Sequence, residues 1–458
     1  MRSTLEAYLA SLKGKKIAVI GIGISNTPLI KLLLRADLSV TACDRKMRKE
    51  FVGQIEELES LGASVRLGGD YLSGLEAFDV IFRTPGMRPD TPELEAARRA
   101  GAEVTSEMEV FFDVCPAHLI AVTGSDGKTT TTTIIAGLLK AAGYNTFLGG
   151  NIGHPLLSDA SGMEPGDMVV LELSSFQLMT MKASPQTAVV TNLSPNHLDI
   201  HKSMQEYVAA KQNIYLHQTP DDKLVLNLDN DITRSFADSA VSQVTFFSRQ
   251  SVLDDGVCVK DGAICVNGRE VLPLSGILLP GVHNIENYMA AIAAVSGLVP
   301  DQIIRDYAGI FGGVEHRIEL VRTLDGVRYY NDSIASSPSR TIAGLRAFSK
   351  KVILIAGGYD KHIPYQVLGP ELVAHVKLLI LNGDTAPQIR AAAEGAPDYV
   401  SGAPEIQEYE EFRDAVLAAR RAAQPGDVVI LSPASASFDK FKNFAERGET
   451  FKQIIREL

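Results

Sequence analysis

Residues 119–139 read LIAVTGSDGKTTTTTIIAGLL, and this stretch decides the fold at the centre of the chain. The apolar run Leu119–Val122 predicts a short buried strand, and the helical spacing of the apolar residues from Ile134 to Leu139 predicts a helix. The turn between them, TGSDGKTT at 123–130, has the strand–loop–helix context of a phosphate loop. It is two residues shorter than the usual GxxxxGKS/T loop.

The chemistry of this turn supports phosphate binding. Gly124 and Gly127 allow backbone N–H groups to surround phosphate oxygens, and the helix N-terminus adds partial positive charge. Lys128 is placed to reach the terminal phosphates, and Thr129 to bind Mg²⁺. The alternative is a Gly-rich turn with a solvated Lys128. Propensity alone would not choose threonine, a mediocre helix former, to open a helix at 129–133.

The same order of short apolar run, turn and helical pattern recurs along the chain. Short, non-alternating runs rich in Val, Ile and Leu are typical of parallel strands buried on both faces. They are Ile17–Ile20, Val80–Phe82, Leu119–Val122, Met168–Leu173, Ala188–Thr191, Val352–Ala356, Leu378–Leu381 and Val428–Leu431. The predicted class is therefore α/β with more than one sheet. Residues 223–279 depart from this order. Their pattern of short strands and turns predicts a β-rich insertion or an extension of a sheet.

Composition limits the class of protein further. The 458 residues suggest roughly three domains, and 44 basic against 55 acidic residues give a net charge of −11. That charge argues against a general nucleic-acid binder, and 45% apolar residues argue against disorder. The four cysteines form no CxxC pair, which indicates a reducing compartment. We find no signal-peptide core and no apolar run of ~18 residues, so we expect a soluble, cytoplasmic protein without membrane insertion.

Polar residues follow two further predicted strands. Glu172 stands in an apolar strand, so it is a candidate Mg²⁺ ligand; a buried ion pair is the alternative. After Ala188–Thr191 come His197, Asp199 and His201, which are candidates to hold a metal or orient a substrate, or are ordinary loop residues. On the next helical stretch, the pattern around Lys211 by itself favours a solvated lysine.

The turn after the first predicted strand, GIGISN at 21–26, resembles a dinucleotide fingerprint, with Asp44 at the end of the next strand. Asn26 stands where the third glycine would be, so the indication of NAD is weak. A purely structural strand–helix turn is the alternative.

Taken together, nine strings resemble the Mur ligases, and among them the type that adds D-glutamate. The strings are TGSDGKTT (123–130), ELSSFQL (172–178), TNLSPNHLDIH (191–201), the helical stretch around Lys211, GVHNIENYMAA (281–291), EHRIE (315–319), NDSIASSP (331–338), AGGYDK (356–361) and LSPASASFDKFKNFAERG (431–448). The resemblance implies three domains. These are a Rossmann-like UDP-substrate domain (1–106), a central ATP-binding domain with a phosphate-loop parallel sheet and a β-rich extension (107–313), and a Rossmann-like amino-acid-binding domain (314–458).

The resemblance also implies a reaction. ATP would phosphorylate the carboxylate of UDP-N-acetylmuramoyl-L-alanine, and the amine of D-glutamate would attack the acyl phosphate, within cytoplasmic peptidoglycan precursor synthesis. The implied cofactors are ATP and two Mg²⁺ ions, with Lys211 carbamylated. The expected partners are these small molecules, without nucleic acid, and the expected state is a monomer.

The resemblance assigns roles residue by residue. The implied catalytic residues are Lys128, His197, Lys211 and Arg317, and the implied metal ligands are Thr129 and Glu172 for one ion and His197 and Lys211 for the other. ATP would contact Gly124, Ser125, Asp126, Gly127, Lys128, Thr129, Thr130, Asn284, Asn287, Arg317 and Asp332. The UDP substrate would contact Ile24, Ser25, Asp44, Arg45, Lys46, Asn151 and Ser174. D-Glutamate would contact Lys361, Ser437 and Phe444.

Two positions depart from the family pattern, and several alternatives remain. Ile334 stands where many members have lysine, and Asn196 replaces an aspartate seen in some, so Asn196 is not among the predicted ligands. One alternative is a related ligase, either of the folylpolyglutamate type or adding a diamino acid, although the chain has no DNPR-like string. A nicotinamide-dependent dehydrogenase would leave everything after residue 106 unexplained. A non-catalytic nucleotide switch is the third.

Overall fold

The computed structural model describes residues 4–51, 53–195, 200–361 and 363–458. The chain forms two compact units. The first contains Met1–Ile277 and Val282–Gly309, and the second contains Leu278–Gly281 and Ile310–Leu458.

The first unit begins with a five-stranded parallel sheet in the order β3-β2-β1-β4-β5. Its strands are β1 (Ile17–Ile20), β2 (Val40–Asp44), β3 (Ser64–Leu67), β4 (Val80–Phe82) and β5 (Glu103–Thr105), and its helices are α1 (Leu5–Ser11), α2 (Asn26–Arg35), α3 (Gln54–Ser60) and α4 (Pro92–Arg99). β1 and β4 are buried along their whole length, as continuous apolar runs predict for strands covered on both faces.

The same unit contains a nine-stranded sheet in the order β14-β13-β12-β11-β10-β9-β6-β8-β7. Its strands are β6 (His118–Thr123), β7 (Thr146–Gly150), β8 (Met168–Glu172), β9 (Thr187–Val190), β10 (Lys223–Asn227), β11 (Gln243–Ser248), β12 (Val257–Lys260), β13 (Ala263–Val266) and β14 (Arg269–Pro273). Its helices are α5 (Glu107–Val114), α6 (Lys128–Ala141), α7 (Ser175–Leu178), α8 (Met204–Gln212), α9 (Asp231–Ser235), α10 (Val282–Val295) and α11 (Asp301–Ala308).

The β-rich region is an extension of this sheet. β10, β11 and β12 pair in parallel, whereas β13 and β14 add two antiparallel strands at the edge. At the centre, β6 pairs in parallel with β8 on one side and β9 on the other. The carboxyl ends of these three strands therefore lie side by side, which is where open parallel sheets bind ligands.

The second unit contains a six-stranded sheet in the order β15-β16-β20-β17-β18-β19, parallel except for β15. Its strands are β15 (Glu319–Leu324), β16 (Val327–Asn331), β17 (Val352–Ala356), β18 (Val376–Leu381), β19 (Glu405–Glu408) and β20 (Val428–Leu431), and its helices are α12 (Pro338–Leu345), α13 (Gly369–His375), α14 (Ala386–Glu394), α15 (Phe412–Ala422) and α16 (Phe444–Glu457). Apolar clusters pack on both faces of the sheet.

The predicted α/β class with several parallel sheets is confirmed. Four predicted strands have the bounds expected from their apolar runs: β1, β4, β17 and β20. The run expected to end at Leu173 ends at Glu172, which places that carboxylate as the last residue of β8. Within the described ranges, no helix combines the length and the hydropathy needed to cross a bilayer.

Candidate active site

The phosphate loop is fixed by hydrogen bonds to the end of β9. Ser125 N donates to the Asn192 carbonyl at 2.8 Å, and Thr191 Oγ1 donates to the Asp126 carbonyl at 2.6 Å. Gly124 has φ +149°, a conformation that residues with a side chain rarely adopt. Lys128 Nζ donates to the carbonyls of Gly124 and Ser125, both at 2.9 Å, so its ammonium lies over the loop.

The threonine run that opens α6 has a structural explanation. The hydroxyls of Thr132 and Thr133 donate to the carbonyls four residues earlier, each at 2.8 Å. Such back-bonding satisfies a buried hydroxyl inside a helix. Thr131 Oγ1 instead donates to Asn287 Oδ1 on α10 at 3.2 Å, and this bond joins the two helices beside the loop.

The two asparagines predicted to lie near ATP are buried beside the phosphate loop. Asn287 Nδ2 donates to Asn284 Oδ1 at 3.0 Å. A Cβ at Gly127 would lie 2.3 Å from Asn287 Oδ1, so this close approach requires glycine. The structure therefore brings Asn284 and Asn287 together with the loop.

Glu172 is 2% exposed and lies next to the first residues of α6. Thr129 Oγ1 donates to its Oε2 at 2.6 Å, and Asn151 Nδ2 donates to its Oε1 at 2.8 Å. Among the residues that the structure describes, the Glu172 carboxylate accepts hydrogen bonds from neutral donors and forms no ion pair with a lysine or arginine. A hydroxyl and a carboxylate are hard oxygen ligands of the kind Mg²⁺ binds, so this pair fits the predicted ion.

Lys211 is buried, with 1% of its surface exposed, so the solvated lysine favoured by its pattern is wrong. Its Nζ donates to Thr123 Oγ1 at 3.0 Å and lies 5.0 Å from the centroid of the Tyr207 ring. Burial, reinforced by the positive charge of Lys128, holds the pKa of the amine well below its usual range.

The remaining predicted metal residues lie on the segment before α8. His197 and Asp199 are outside the described residues. His201 is buried; its Nε2 is 2.9 Å from Ser175 Oγ, and its ring stacks on Phe176 with centroids 5.3 Å apart. His201 therefore contacts α7, directly after the strand that ends at Glu172.

The residues predicted for the UDP substrate follow the carboxyl ends of β1 and β2. Asp44 Oδ2 accepts from Ile22 N at 2.7 Å, which ties the two strand ends together. Ile24, Arg45 and Lys46 are exposed around them, and Ser25 is half-buried. Asn26 Nδ2 donates to the Ile20 carbonyl at 2.8 Å, so its side chain performs a structural task where a dinucleotide fingerprint has glycine.

The last two residues predicted to bind the UDP substrate are in the central part of the first unit. Asn151 donates to Glu172. Ser174 caps α7, with its Oγ accepting from Gln177 N at 3.3 Å. Both therefore lie at the carboxyl end of β8, beside the predicted metal ligand.

In the second unit, Asp332 follows β16 and is 3% exposed. Ser432 Oγ donates to its Oδ2 at 2.7 Å, and Ile318 N donates to its Oδ1 at 3.3 Å. Burial raises the pKa of this carboxyl to about 7 despite both hydrogen bonds. The carboxyl is therefore costly to ionise in the folded protein.

Arg317 is presented by a backbone that few residues adopt. His316 and Ile318, on either side of it, have φ +61° and +47°, and Ile318 is β-branched. The loop is held in place because His316 N donates to Glu319 Oε2 at 2.9 Å and Arg317 N donates to the Val314 carbonyl at 2.9 Å. The Arg317 side chain itself is exposed.

The predicted D-glutamate residues include an exposed lysine and a buried serine. Lys361 is exposed, Ser437 is 2% exposed, and Phe444 begins α16, where its ring contacts His316 at 6.0 Å between centroids. Arg447, which the sequence did not indicate, joins this region to the loop after β16. Its guanidinium donates to the carbonyls of Ser333, Ser435 and Ala436 at 3.0, 3.1 and 2.9 Å.

Two further residues that contact the site in the first unit, Thr123 and Tyr207, were not singled out from the sequence. Thr123 accepts the hydrogen bond of Lys211, and Tyr207 Oη lies 3.0 Å from Ser125 Oγ of the phosphate loop. The position of Thr123 at a strand end was the available signal. For Tyr207 and Arg447 the sequence alone offers no signal, because Tyr207 meets Ser125 and Arg447 meets Ser333 far along the chain.

We expect Asp332→Asn to stabilise the folded protein at neutral and higher pH. Since the folded-state pKa, about 7, exceeds the ordinary value near 4, wild-type stability falls as pH rises between these values and the cost persists above them. An amide cannot ionise. The free energy of unfolding, measured by denaturant titration, should favour Asp332→Asn by on the order of 2–3 kcal/mol more at pH ~8 than at pH ~5.

Asp427→Asn is the matched control with the opposite sign. The hydrogen bond from Lys377 holds the pKa of Asp427 below its ordinary value, so this carboxylate stabilises the fold above that value. Its replacement should lower stability, and more so at neutral than at acid pH. If the free energy of unfolding of Asp332→Asn followed that of the wild type at every pH, the raised pKa of Asp332 would be contradicted.

Comparison with known proteins gives the class of this site. Family models match three consecutive parts of the chain: the Mur ligase MurD-like N-terminal domain at 15–106, the Mur ligase middle domain at 122–295, and the glutamate ligase domain of Mur ligases at 316–435. Together with full-length relatives of about half-identical sequence, these matches show that the chain belongs to the Mur ligase family.

Full-length relatives of this chain include two ligases of the same printed name. The UDP-N-acetylmuramoylalanine--D-glutamate ligase of Acetivibrio thermocellus is 53% identical over 464 residues, and that of Ruminiclostridium cellulolyticum is 51% identical over 464 residues. The alignment covers 100% of this chain and 100% of each relative.

Solved structures agree on the fold. The UDP-N-acetylmuramate-alanine ligase MurC of Thermotoga maritima aligns with a TM-score of 0.57 at 19% identity, over 97% of this chain and 99% of that one. A pseudomurein peptide ligase type C from Methanothermus fervidus aligns with a TM-score of 0.51 at 18% identity, over 97% and 100%. At these identities the likeness concerns the fold alone.

Proposed function

We propose that this protein is an ATP-dependent ligase that joins the carboxylate of UDP-N-acetylmuramoyl-L-alanine to the amine of D-glutamate. One observation carries the proposal: the phosphate loop, Glu172 and the buried Lys211 converge at the ends of three adjacent strands. The D-glutamate ligases that match this chain over its whole length support the choice of substrates.

The proposed chemistry has two steps. A carboxylate oxygen of the UDP substrate attacks the γ-phosphorus of ATP, the bond to the β-phosphate oxygen breaks, and ADP leaves. The D-glutamate amine then attacks the acyl carbon and loses a proton, and inorganic phosphate leaves as the amide bond forms. Both steps bring anions together, so positive charge must be supplied where they meet.

The residues of the first unit fit the requirements of phosphoryl transfer. Lys128 supplies a fixed positive charge over the loop, and backbone N–H groups at the start of α6 can receive phosphate oxygens. Thr129 and Glu172 would hold one Mg²⁺, and His197 and Lys211 a second. When bound, these ions neutralise the phosphates and polarise the reacting oxygens.

A metal-binding role for Lys211 requires a change of charge, because an ammonium repels a cation. We propose that Lys211 is carbamylated: the neutral amine attacks CO₂, an N–C bond forms and one proton is released. The reaction needs an unprotonated amine. Burial and the positive charge of Lys128 lower the pKa of Lys211 and so supply that form, and the charge of Lys128 also favours the resulting anion.

In the second unit, we propose that Arg317 contacts a phosphate, that Asp332 contacts the nucleotide ribose, and that Lys361, Ser437 and Phe444 bind D-glutamate. The proposal assigns the UDP substrate to residues 1–106, ATP to 107–313 and D-glutamate to 314–458. It also includes a monomeric enzyme in the cytoplasm that acts on small molecules.

We expect phosphate release from ATP to require both UDP-N-acetylmuramoyl-L-alanine and D-glutamate. The measurement is steady-state phosphate release, with the amide product followed by mass spectrometry, in reactions that omit each substrate in turn. L-Glutamate and meso-diaminopimelate serve as matched amino acids. D-Glutamate should give the larger kcat/KM by about 100-fold or more, since a site built for a substrate's polar groups rejects analogues that leave them unpaired.

Three outcomes would overturn the proposal in different ways. A preference for meso-diaminopimelate would indicate the diamino-acid branch of the family. ATP hydrolysis that ignores D-glutamate would indicate a nucleotide switch. Product formation from a folate instead of the UDP substrate would indicate the folylpolyglutamate type.

A further inference from the structure

Arg88, in the loop that follows β4, uses every hydrogen-bond donor of its side chain. Nε and Nη2 donate to Asp90 at 2.8 and 3.1 Å, and Nη1 and Nη2 donate to Glu206 at 3.1 and 2.7 Å. The fifth donor, on Nη1, meets the Ile200 carbonyl at 2.6 Å. A guanidinium has five N–H donors, so this side chain is fully engaged and held in one geometry.

Two of the three acceptor residues, Ile200 and Glu206, belong to the segment that begins α8. Glu206 lies in the first turn of this helix, where Ser203 caps the N-terminus by accepting from Glu206 N at 3.2 Å. Glu206 Oε2 also accepts from Lys202 N at 2.6 Å. The ion pair therefore fixes the start of α8 and the residues just before it.

Helix α8 carries this constraint to the phosphate loop. Tyr207, the residue after Glu206, contacts Ser125, and Lys211 lies one turn further along the same helix. Ser125 Oγ in turn accepts from Ser194 N and donates to the Ser194 carbonyl, both at 3.0 Å. Because a short helix moves as a rigid element, a shift of its first turn displaces Tyr207 and Lys211 together.

The other end of the Arg88 loop contacts the turn predicted to bind the UDP substrate. A Cβ at Gly21 would lie 3.1 Å from Thr84 Cβ. The buried Arg83 keeps the intervening loop in shape, since its Nη1 donates to the carbonyls of Pro85 at 3.1 Å and Met87 at 2.5 Å. A continuous set of contacts thus runs from Gly21 through Arg88 and Glu206 to Ser125.

We propose that Arg88 is a positioning residue that couples the UDP-substrate turn to the phosphate loop through helix α8. The proposal rests on the proposed function, because it takes the UDP substrate to bind at the turn after β1. An exposed ion pair would contribute little. This pair differs because it is bidentate, three-quarters covered on the Arg88 side, and placed at a helix start.

The test measures the affinity of a non-hydrolysable ATP analogue by isothermal titration calorimetry, with and without saturating UDP-N-acetylmuramoyl-L-alanine. In the wild type, we expect the UDP substrate to tighten binding of the analogue about 5- to 10-fold. In Arg88→Met, each ligand alone should bind within about twofold of the wild-type affinity, and the tightening should be lost. Arg88→Lys keeps the positive charge but cannot make the bidentate hydrogen bonds, so it should recover part of the tightening.

Glu206→Gln provides an independent route to the same result, including the case in which Arg88→Met folds poorly. It should weaken the coupling, and the double variant should lose no more than Arg88→Met alone, because both changes break one contact. Arg234→Met is the control. This exposed arginine pairs with Asp231 at 2.7 Å in the same unit, and its removal should leave the coupling unchanged.

An unchanged coupling factor in both Arg88→Met and Glu206→Gln would overturn the proposal, as would a wild type without coupling. In either case both ligands still bind, so the proposed function would stand. If the UDP substrate does not bind the wild type at all, the proposed function fails instead, and with it this proposal. A fall in melting temperature with intact coupling would show that Arg88 contributes only to stability.

Discussion

Replacing Lys211 with methionine should lower kcat for D-glutamate addition by about 1,000-fold, since the proposed metal-holding role of Lys211 predicts a loss of several kcal/mol of charge stabilisation. Methionine keeps most of the length of the side chain and fits an apolar site, so the fold should persist. The measurement is steady-state product formation, with the melting temperature recorded in parallel. Full activity in this variant would exclude a metal-binding role.

A smaller replacement separates lost charge from lost packing. In Lys211→Ala, a short carboxylic acid such as formate can enter the space left by the side chain and supply the missing oxygens. Added formate should restore part of the activity of Lys211→Ala and none of that of Lys211→Met, which fills the space. Equal responses of the two variants would indicate that the carbamate is not the active form.

Lys223 serves as the internal comparison for the modification itself. Burial lowers the pKa of this lysine too, but it contacts the Ala293 carbonyl, away from the phosphate loop. Intact-protein mass spectrometry near neutral pH should show one added CO₂, lost on acidification, and peptide mapping should place it on Lys211 and not on Lys223. Modification of both would show that burial alone is sufficient.

Changing Gly124 to alanine should have the second large effect. The new Cβ would lie 1.9 Å from Thr191 Oγ1 and 3.1 Å from the Asn192 carbonyl oxygen, at a φ of +149° that alanine avoids. Those two residues hold the phosphate loop on β9, so the clash must displace the loop. We expect a loss of about 3 kcal/mol of stability and of about 100-fold or more in kcat/KM for ATP.

Gly143→Ala isolates the contribution of the backbone. Gly143 follows α6 with φ +91°, and nothing lies within 4 Å of the Cβ that alanine would add. This variant should lose only about 1–2 kcal/mol, with kcat/KM for ATP unchanged. Denaturant titration and steady-state kinetics measure both quantities. If Gly124→Ala behaved like Gly143→Ala, the close packing of the loop on β9 would not matter for ATP.

The sequence was sufficient for the parts of this molecule whose causes are local. Apolar runs such as Val352–Ala356 predict buried parallel strands because a strand covered on both faces has no polar side to show. The phosphate loop is recognisable because its glycines, lysine and flanking elements are contiguous. The position of Asp44 at the end of β2 could also be predicted, because it depends only on the strand that precedes it.

The sequence was insufficient where a side chain depends on distant neighbours. The amine of Lys211 is buried against Thr123, which is 88 residues away in the chain. Arg447 reaches Ser333, 114 residues away, and no short motif encodes such a bond. Asn26 illustrates the converse, since a departure from a familiar glycine pattern is explained by one hydrogen bond to β1.

The left-handed backbone at His316 and Ile318 bears on how this protein could be engineered for heat resistance. A designer seeking higher stability would place glycine or asparagine at Ile318, since a β-branched residue at positive φ costs on the order of 1–3 kcal/mol. That gain would come from changing the left-handed backbone that flanks Arg317. Stabilising substitutions are better sought at surface positions whose backbone is relaxed, because at Ile318 heat resistance and the backbone that presents Arg317 depend on the same residue.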